Sequence, residues 1–147
     1  MADSGLAPIG ERNPQEILDL LRRRFRPEAI KQRKVGGGRR VPYLPVDAVI
    51  ERLNKACNTW HFRIVSRERD IMALPRWDPD TRKSIPTGTI VAVVIGELEI
   101  PELRTRQAIG VQALDDGSGE DLVKGAASDS LKKCASLFGV SVDGGSP

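Results

Sequence analysis

Hydrophobic residues at steps of three and four positions predict two helices in the N-terminal part of the chain. The first begins at the start signal Asn13–Pro14 and ends by Pro27, because the residue before a proline is disfavoured in helical conformation. The second has Pro45 in its first turn and is closed by Asn58. The predicted inward stripes are Ile17, Leu20, Leu21 and Phe25 in the first helix, and Val46, Val49, Ile50, Leu53, Ala56 and Cys57 in the second.

Between these helices the pattern changes to alternation of polar and apolar residues from Ile30 to Leu44. Two short alternating segments on either side of Gly36–Gly38 predict a basic β-hairpin with the glycines at its turn. Pro42 has no N–H for a neighbouring strand, so its strand should be very short or lie at an edge.

Three more strands are predicted in the second half of the chain, at Trp60 to Val65, Thr89 to Ile100 and Arg104 to Leu114. A turn at Pro101 separates the last two, and Asp115 to Gly119 predicts another turn. The residues between the first two strands predict a long loop because they contain three prolines, Pro75, Pro79 and Pro86.

The last helix is predicted from about Asp121 to Phe138, with Gly139 as its C-cap. Its predicted inward residues are Val123, Ala127, Leu131, Cys134, Ala135 and Phe138. The elements together predict an α+β fold. Its β-β-α-β-β-β-α core is a basic β-hairpin plus a three-stranded antiparallel meander packed against the C-terminal helix. Residues 1–13 are predicted to be a flexible tail, 14–140 the domain, and 141–147 a flexible tail or truncated linker.

Positive charge is concentrated in one part of the chain. Between Arg22 and Arg40 there are nine basic residues and one acidic residue, Glu28, a balance of +8. The remaining 14 basic and 19 acidic residues give a balance of −5. A solvated helix face normally mixes the two signs, so this cluster favours a polyanionic partner over a basic strip without function.

Residues suited to catalysis are few. One histidine, His61, and scattered carboxylates give no nucleophile–base or metal-ligand spacing, so no enzymatic activity, metal or cofactor is expected. Cys57 and Cys134 lie far apart and predict free, buried thiols in a reducing intracellular compartment, the cytoplasm or nucleoid, or the nucleus in a eukaryote. No secretory signal or membrane-spanning run is recognisable.

Three hypotheses compete for the basic segment Arg33 to Leu44. A phosphate-binding P-loop requires GxxxxGK[ST], which the residues after the glycines do not supply. A disordered linker does not account for the alternating apolar residues Val35, Val41 and Tyr43. A hairpin uses every residue, and it allows the backbone to approach phosphates closely at the glycines.

Two widely separated motifs resemble the Rad52 family of single-strand annealing proteins. The first is Arg33-x-x-Gly36-Gly37-Gly38-x-x-Val41-x-Tyr43, preceded by Pro27-Glu28-x-Ile30 and followed by Ile50, Asn54 and Trp60. The second is Ala127-Ser128-Asp129-Ser130-Leu131-Lys132-Lys133, followed by Phe138-Gly139. The motifs occur in the family's order, and the resemblance covers about residues 20–140, with a bacterial or phage-type homologue favoured.

The resemblance implies a domain that binds single-stranded DNA and anneals complementary strands without ATP, as a closed homo-oligomeric ring, in recombination and double-strand break repair. It implies DNA-backbone contacts at Arg33, Val41, Lys132 and Lys133. Other residues complete the predicted DNA-binding set: Lys34, Arg39, Arg40, Tyr43 and Lys124. A recombinase or a single-strand-binding protein is a candidate further partner.

The chain also departs from the family's pattern. Ser136 stands where eukaryotic members carry a further arginine, and Gly88 precedes the long strand where the family's second DNA site has lysine. Arg82 and Lys83 are the candidates for a second DNA site here. Acidic residues before the last helix weaken that expectation: Asp115, Asp116, Glu120 and Asp121.

The chemistry of the last helix supports a groove independently of the family. Lys124, Ser128 and Lys132 recur every four residues beside the apolar stripe, and Lys133 lies about 100° farther around the helix. Alone, these lysines are typical of a solvated face; with the basic hairpin they favour a groove that grips the sugar–phosphate backbone and leaves the bases free to pair. Tyr43 can stack on a base or pack in the core.

Two other functions remain open from the sequence. A DNA- or RNA-binding architectural module that does not anneal would prefer duplex. A nuclease would need the acidic residues at 115–121 to hold a metal ion, whereas a solvated acidic turn at a helix N-terminus explains them more simply.

Overall fold

The computed structural model describes residues 5–114 and 119–144 and has the α+β class that the sequence predicts. The fold consists of three α-helices, a two-stranded hairpin (β1-β2) and a three-stranded antiparallel sheet in the order β3-β4-β5. The elements are α1 (Pro14–Arg22), β1 (Lys31–Lys34), β2 (Arg40–Tyr43), α2 (Val46–Ala56), β3 (His61–Asp78), β4 (Lys83–Ile100), β5 (Arg104–Ala113) and α3 (Gly119–Ser136).

The first helix is fixed at both ends by side chains. At its start, Asn13 accepts from the backbone N–H of Glu16, and the Glu16 carboxylate accepts from the backbone N–H of Asn13. At its end, the Arg52 guanidinium on α2 donates to the carbonyl oxygens of Leu20 (3.2 Å) and Arg24 (3.4 Å). These bonds hold the end of α1 against α2, so the two helices are joined as one unit.

The segment before α1, predicted to be a flexible tail, contacts α2 through Arg12. The Arg12 guanidinium donates to the carbonyl oxygens of Ala7 (2.8 Å) and Ala56 (3.3 Å).

The basic hairpin is present, with Arg33 opposite Val41 and Lys31 opposite Tyr43. Gly37 and Gly38 at its turn have φ of +79° and +76°, a conformation that only glycine adopts without strain. Both β1 and β2 are four residues long, which confirms the short strand expected around Pro42.

The long loop predicted around the prolines is wrong. β3 and β4 instead pair continuously from Asp78↔Lys83 back to Ile71↔Ile90 and onward. Pro75 lies opposite Pro86. The Leu114 N–H donates to the Ile90 carbonyl, which shows that Ile90 points its backbone groups toward β5. Pro86 lies four residues before Ile90, so its backbone groups also point away from β3, and those of its partner Pro75 point away from β4. No hydrogen bond between β3 and β4 is therefore lost at the two prolines.

The C-terminal helix packs across β4 and β5. Near its start, Leu122 and Ala126 are buried in place of the predicted Val123 and Ala127, which are only partly buried. Farther along, Ser130 is buried, and so are the predicted Leu131, Cys134, Ala135 and Phe138. Close approach explains the shift, because a Cβ on Gly110 would collide with the Ala126 carbonyl oxygen. The helix backbone therefore lies directly on the sheet, and the buried Ser130 hydroxyl donates to the Ala108 carbonyl at 2.8 Å.

The main hydrophobic core joins α1, α2, the end of β4 and the last two turns of α3, and its members include Leu21, Leu53, Leu98, Ala135 and Phe138. Both cysteines are buried and free, as predicted. Burial raises the pKa of both the Cys57 and the Cys134 thiols, so both stay protonated and inert at neutral pH.

Candidate nucleic-acid interface

The ring of Tyr43 brings together cations from the two sequence motifs. The Arg33 guanidinium carbon lies 5.9 Å from the ring centroid, and the Lys132 ammonium lies 5.6 Å from it. Arg33 and Tyr43 share one face of the hairpin, because their register partners are Val41 and Lys31 and side chains alternate along a strand. Residues about a hundred positions apart thus meet at one aromatic ring.

A second contact fixes Lys132 against the hairpin. Its ammonium donates to the Leu44 carbonyl at 3.2 Å, between β2 and α2. Lys132 is partly buried, whereas Arg33 is exposed. Within residues 5–114 and 119–144, no ion pair joins Arg33 or Lys132 to a carboxylate. Their charges are therefore available to an anion. We call the surface formed by Arg33, Tyr43 and Lys132 the trough.

The remaining basic residues of the hairpin do not all face the trough. Alternation places Lys31 on the face of Arg33, and places Lys34 and Arg40 on the opposite face. The basic residues of the hairpin therefore do not share one common side. Arg39 lies at the turn, where its carbonyl accepts from the Val35 N–H at 2.8 Å.

Lys133 points away from Lys132. Its ammonium pairs with Asp129 at 2.9 Å and donates to the Ile109 carbonyl at 3.3 Å. Asp129 in turn accepts from the Val111 N–H at 3.0 Å. Lys133 is thereby directed to the outer edge of β5, while Lys132 is directed to the hairpin. Asp129 is not among the site residues predicted from the sequence, although its spacing of four from Lys133 is the signal of a helical ion pair.

The other predicted contacts lie farther from Tyr43. Lys124 is exposed on α3, about 12 Å along the axis and 80° around it from Lys132. Arg82 and Lys83 lie at the tip of the β3–β4 ribbon, where Arg82 has φ of +55°. β5 pairs with β4 only as far as Val91, so this tip is roughly 25 Å beyond the three-stranded part.

Two features are absent from the described part of the chain. Among its side chains, no group of three histidine, cysteine or carboxylate residues lies close enough to hold a metal ion. None of its helices is both long enough and apolar enough to cross a membrane. Asp115 and Asp116 of the nuclease hypothesis, and residues 115–118 of the turn predicted there, lie outside the described residues, as do the side chains of Glu120 and Asp121.

The hairpin and the last helix of this α+β domain bring two cations to one aromatic ring, an arrangement that is expected of proteins that bind polyanions. Comparison with protein families gives the particular family: residues 13–143 match the Rad52/22 family double-strand break repair protein. The chain belongs to this family, which confirms the resemblance seen in the sequence. Among curated proteins, no significant match is found.

Family membership makes this a DNA-binding protein of DNA repair and recombination. Members of the family are annealing proteins that bind DNA, associate with themselves and are generally not enzymes.

Proposed function

We propose that this protein binds single-stranded DNA by its sugar–phosphate backbone in the trough and anneals complementary strands without ATP. The observation that carries the proposal is the convergence of Arg33 and Lys132 on Tyr43, in a member of a family of annealing proteins. The activity is assigned to residues 14–140, with residues 1–13 and 141–147 as flanking segments.

The chemistry of the trough suits annealing better than sequence reading. Guanidinium and ammonium groups bind phosphates of any sequence, and each contact releases counterions. The Tyr43 ring has a cation near it from each side of the trough, so it is engaged in holding these charges. A strand held by its phosphates leaves its base edges free for a complementary strand.

One copy of the trough offers few cations and hence weak affinity. A closed homo-oligomeric ring repeats the site along one strand, and the effective concentration of the neighbouring troughs multiplies the grip without new contacts. Val41, Arg39 and Lys124 are proposed to extend the phosphate path. Lys34 and Arg40 are proposed to contact DNA from the opposite face of the hairpin, and Arg82 and Lys83 to form a separate, second site. Lys133 is proposed to contribute less than Lys132, since its ammonium is engaged at the sheet edge.

Reannealing of complementary oligonucleotides without nucleotide or divalent metal tests the proposal. We expect Arg33→Ala and Lys132→Ala each to slow annealing severalfold, and the double variant to slow it further. Asp47→Ala, which changes an exposed residue on α2, is the control for handling and folding. Folded double variants that anneal at the parent rate would refute the assignment of the trough.

Competition between single- and double-stranded DNA separates the alternatives. Preference for single strands supports annealing, whereas preference for duplex favours an architectural module. Strand loss that requires added Mg²⁺ and disappears with EDTA would indicate a nuclease.

A further inference from the structure

A cleft of about 290 Å³ lies between the end of α1 and the side of α2. Leu20, Phe25 and Ala48 contribute apolar surface to it. Arginines 24 and 26 come from the segment after α1, and Lys55 comes from the last turn of α2. The cleft shares none of its lining with the trough, so the trough's function does not explain it.

Arg52 builds the cleft. Its guanidinium donates to carbonyl oxygens at the end of α1 and lies 3.8 Å from the centroid of the Phe25 ring. Desolvation by burial lowers the pKa of Arg52, and the neighbouring charge of Arg23 acts in the same direction. Arg52 therefore fixes the apolar floor and covers one face of Phe25.

Three other cations of the rim are available for binding. Arg24, Arg26 and Lys55 are exposed, and no ion pair joins them to a carboxylate within the described ranges 5–114 and 119–144. Glu51, one turn before Lys55 on α2, is a carboxylate on the same rim. The cleft thus combines an apolar floor, three available cations and one hydrogen-bond acceptor.

We propose that this cleft docks an acidic peptide segment of a partner protein. One aliphatic or aromatic side chain enters the cavity, and flanking carboxylates pair with Arg24, Arg26 and Lys55. A peptide fits better than a DNA strand for two reasons. Arg52 already occupies one face of Phe25, which limits base stacking, and Glu51 can accept from peptide N–H groups, whereas a DNA backbone has no donors.

Fluorescence anisotropy with a labelled nine-residue peptide of Asp and Glu around one central Leu tests the docking. We expect saturable binding to the full chain, weakened about tenfold or more by Arg24→Glu/Arg26→Glu. The matched control, Arg82→Glu/Lys83→Glu, makes the same change in net charge at the ribbon tip and should leave the affinity within about twofold. Equal losses in both variants would reduce the binding to general charge attraction and overturn the proposal.

Two further measurements test the apolar anchor. A peptide with Ser in place of Leu should bind more weakly, and Ala48→Leu, which fills the floor without changing charge, should weaken the parent peptide. Circular dichroism confirms that the variants are folded. If the Ser peptide binds as tightly as the Leu peptide, no side chain enters the cavity and the proposal fails.

An oligo-dT competitor identifies a nucleic-acid occupant. The experiment uses Arg33→Ala/Lys132→Ala protein, which lacks the trough cations. Retention of the peptide at saturating oligo-dT supports peptide docking, and displacement would assign the cleft to DNA instead. Peptide docking does not depend on annealing, so loss of either activity leaves the other measurable.

Discussion

The Val111 N–H donates to the Asp129 carboxylate at 3.0 Å, so a helix side chain occupies the place of a neighbouring strand. Lys133, one turn later, donates to the Ile109 carbonyl on the same edge of β5. Exposed sheet edges can pair with other chains, and a covering helix is one way in which proteins prevent it. Asp129 and Lys133 close the middle of the β5 edge in this manner.

Asp129→Ala removes an acceptor from the Val111 N–H and the partner of Lys133. We expect a loss of about 1–2 kcal/mol in the free energy of unfolding, since a hydrogen bond to a charged group is lost at a partly exposed site. Urea denaturation followed by circular dichroism measures it. Asp129→Asn keeps an acceptor and should lose less; equal losses in the two variants would contradict the edge-capping role.

The directions of the two adjacent lysines predict different salt dependences. Lys132→Ala should reduce the slope of log K against log salt for single-stranded DNA by about 0.7, the value for one phosphate contact. Lys133→Ala should reduce it less, because its ammonium is engaged by Asp129 and Ile109. Titrations at several salt concentrations measure both slopes. A larger change for Lys133 than for Lys132 would reverse the assignment.

Gly37→Ala tests the hairpin turn. At φ of +79° an alanine costs about 1–2 kcal/mol of local strain, although no atom lies within 4 Å of the new Cβ. We expect weaker DNA binding, because the strain displaces Arg33 from Tyr43. The unfolding midpoint of the domain should change little, because the hairpin is exposed and relieves the strain locally. Gly36→Ala, whose φ is not positive, is the matched control. Equal DNA affinity for Gly37→Ala and parent would exclude a rigid hairpin as a requirement.

Glu97, on the outer face of the sheet, should make the free energy of unfolding sensitive to acid. Arg63 and Gln107 donate to the Glu97 carboxylate at 2.7 and 2.9 Å, and these hydrogen bonds hold the pKa of Glu97 below its ordinary value of 4.5. A depressed folded-state pKa gives stability that is present above the unfolded-state pKa and is lost as the pH falls through the folded-state pKa.

Glu97→Gln should therefore lose less unfolding free energy than the parent between about pH 5 and pH 3. Urea titrations at each pH measure the difference. Glu99→Gln, two residues farther along β4, is the comparison. An identical acid dependence in parent and Glu97→Gln would show that the carboxylate contributes nothing.

Local patterns predicted the hairpin and the three helices because each carries its own signal: a Gly-rich turn, a capping residue, an apolar stripe. Prolines at 75 and 86 misled the sequence analysis about the ribbon, since their tolerance depends on register, which only pairing fixes. In the first turns of α3, Leu122 and Ala126 are buried in place of the predicted Val123 and Ala127, because Gly110 admits the helix backbone, a tertiary effect that helical periodicity does not record. The predicted Leu131, Cys134, Ala135 and Phe138 are buried.

The sequence predicted which residues form the site better than it predicted how they are arranged. Charge concentration and the two motifs indicated Arg33 and Lys132. The divergence of Lys132 and Lys133 depends on where the edge of β5 lies beside α3, and the role of Arg52 depends on where α1 ends. Both are relations between elements. The spacing of Asp129 and Lys133 indicates an ion pair, but it does not indicate which strand edge the pair meets.

The facing prolines of the β3–β4 ribbon have a consequence for encounters between copies of the protein. At the rung of Pro75 and Pro86, a foreign strand laid along either margin of the projecting ribbon finds no N–H to accept from. Pairing with a further strand is therefore interrupted at the same residue pair on both edges. The β3–β4 ribbon can project from the domain without promoting strand-by-strand aggregation.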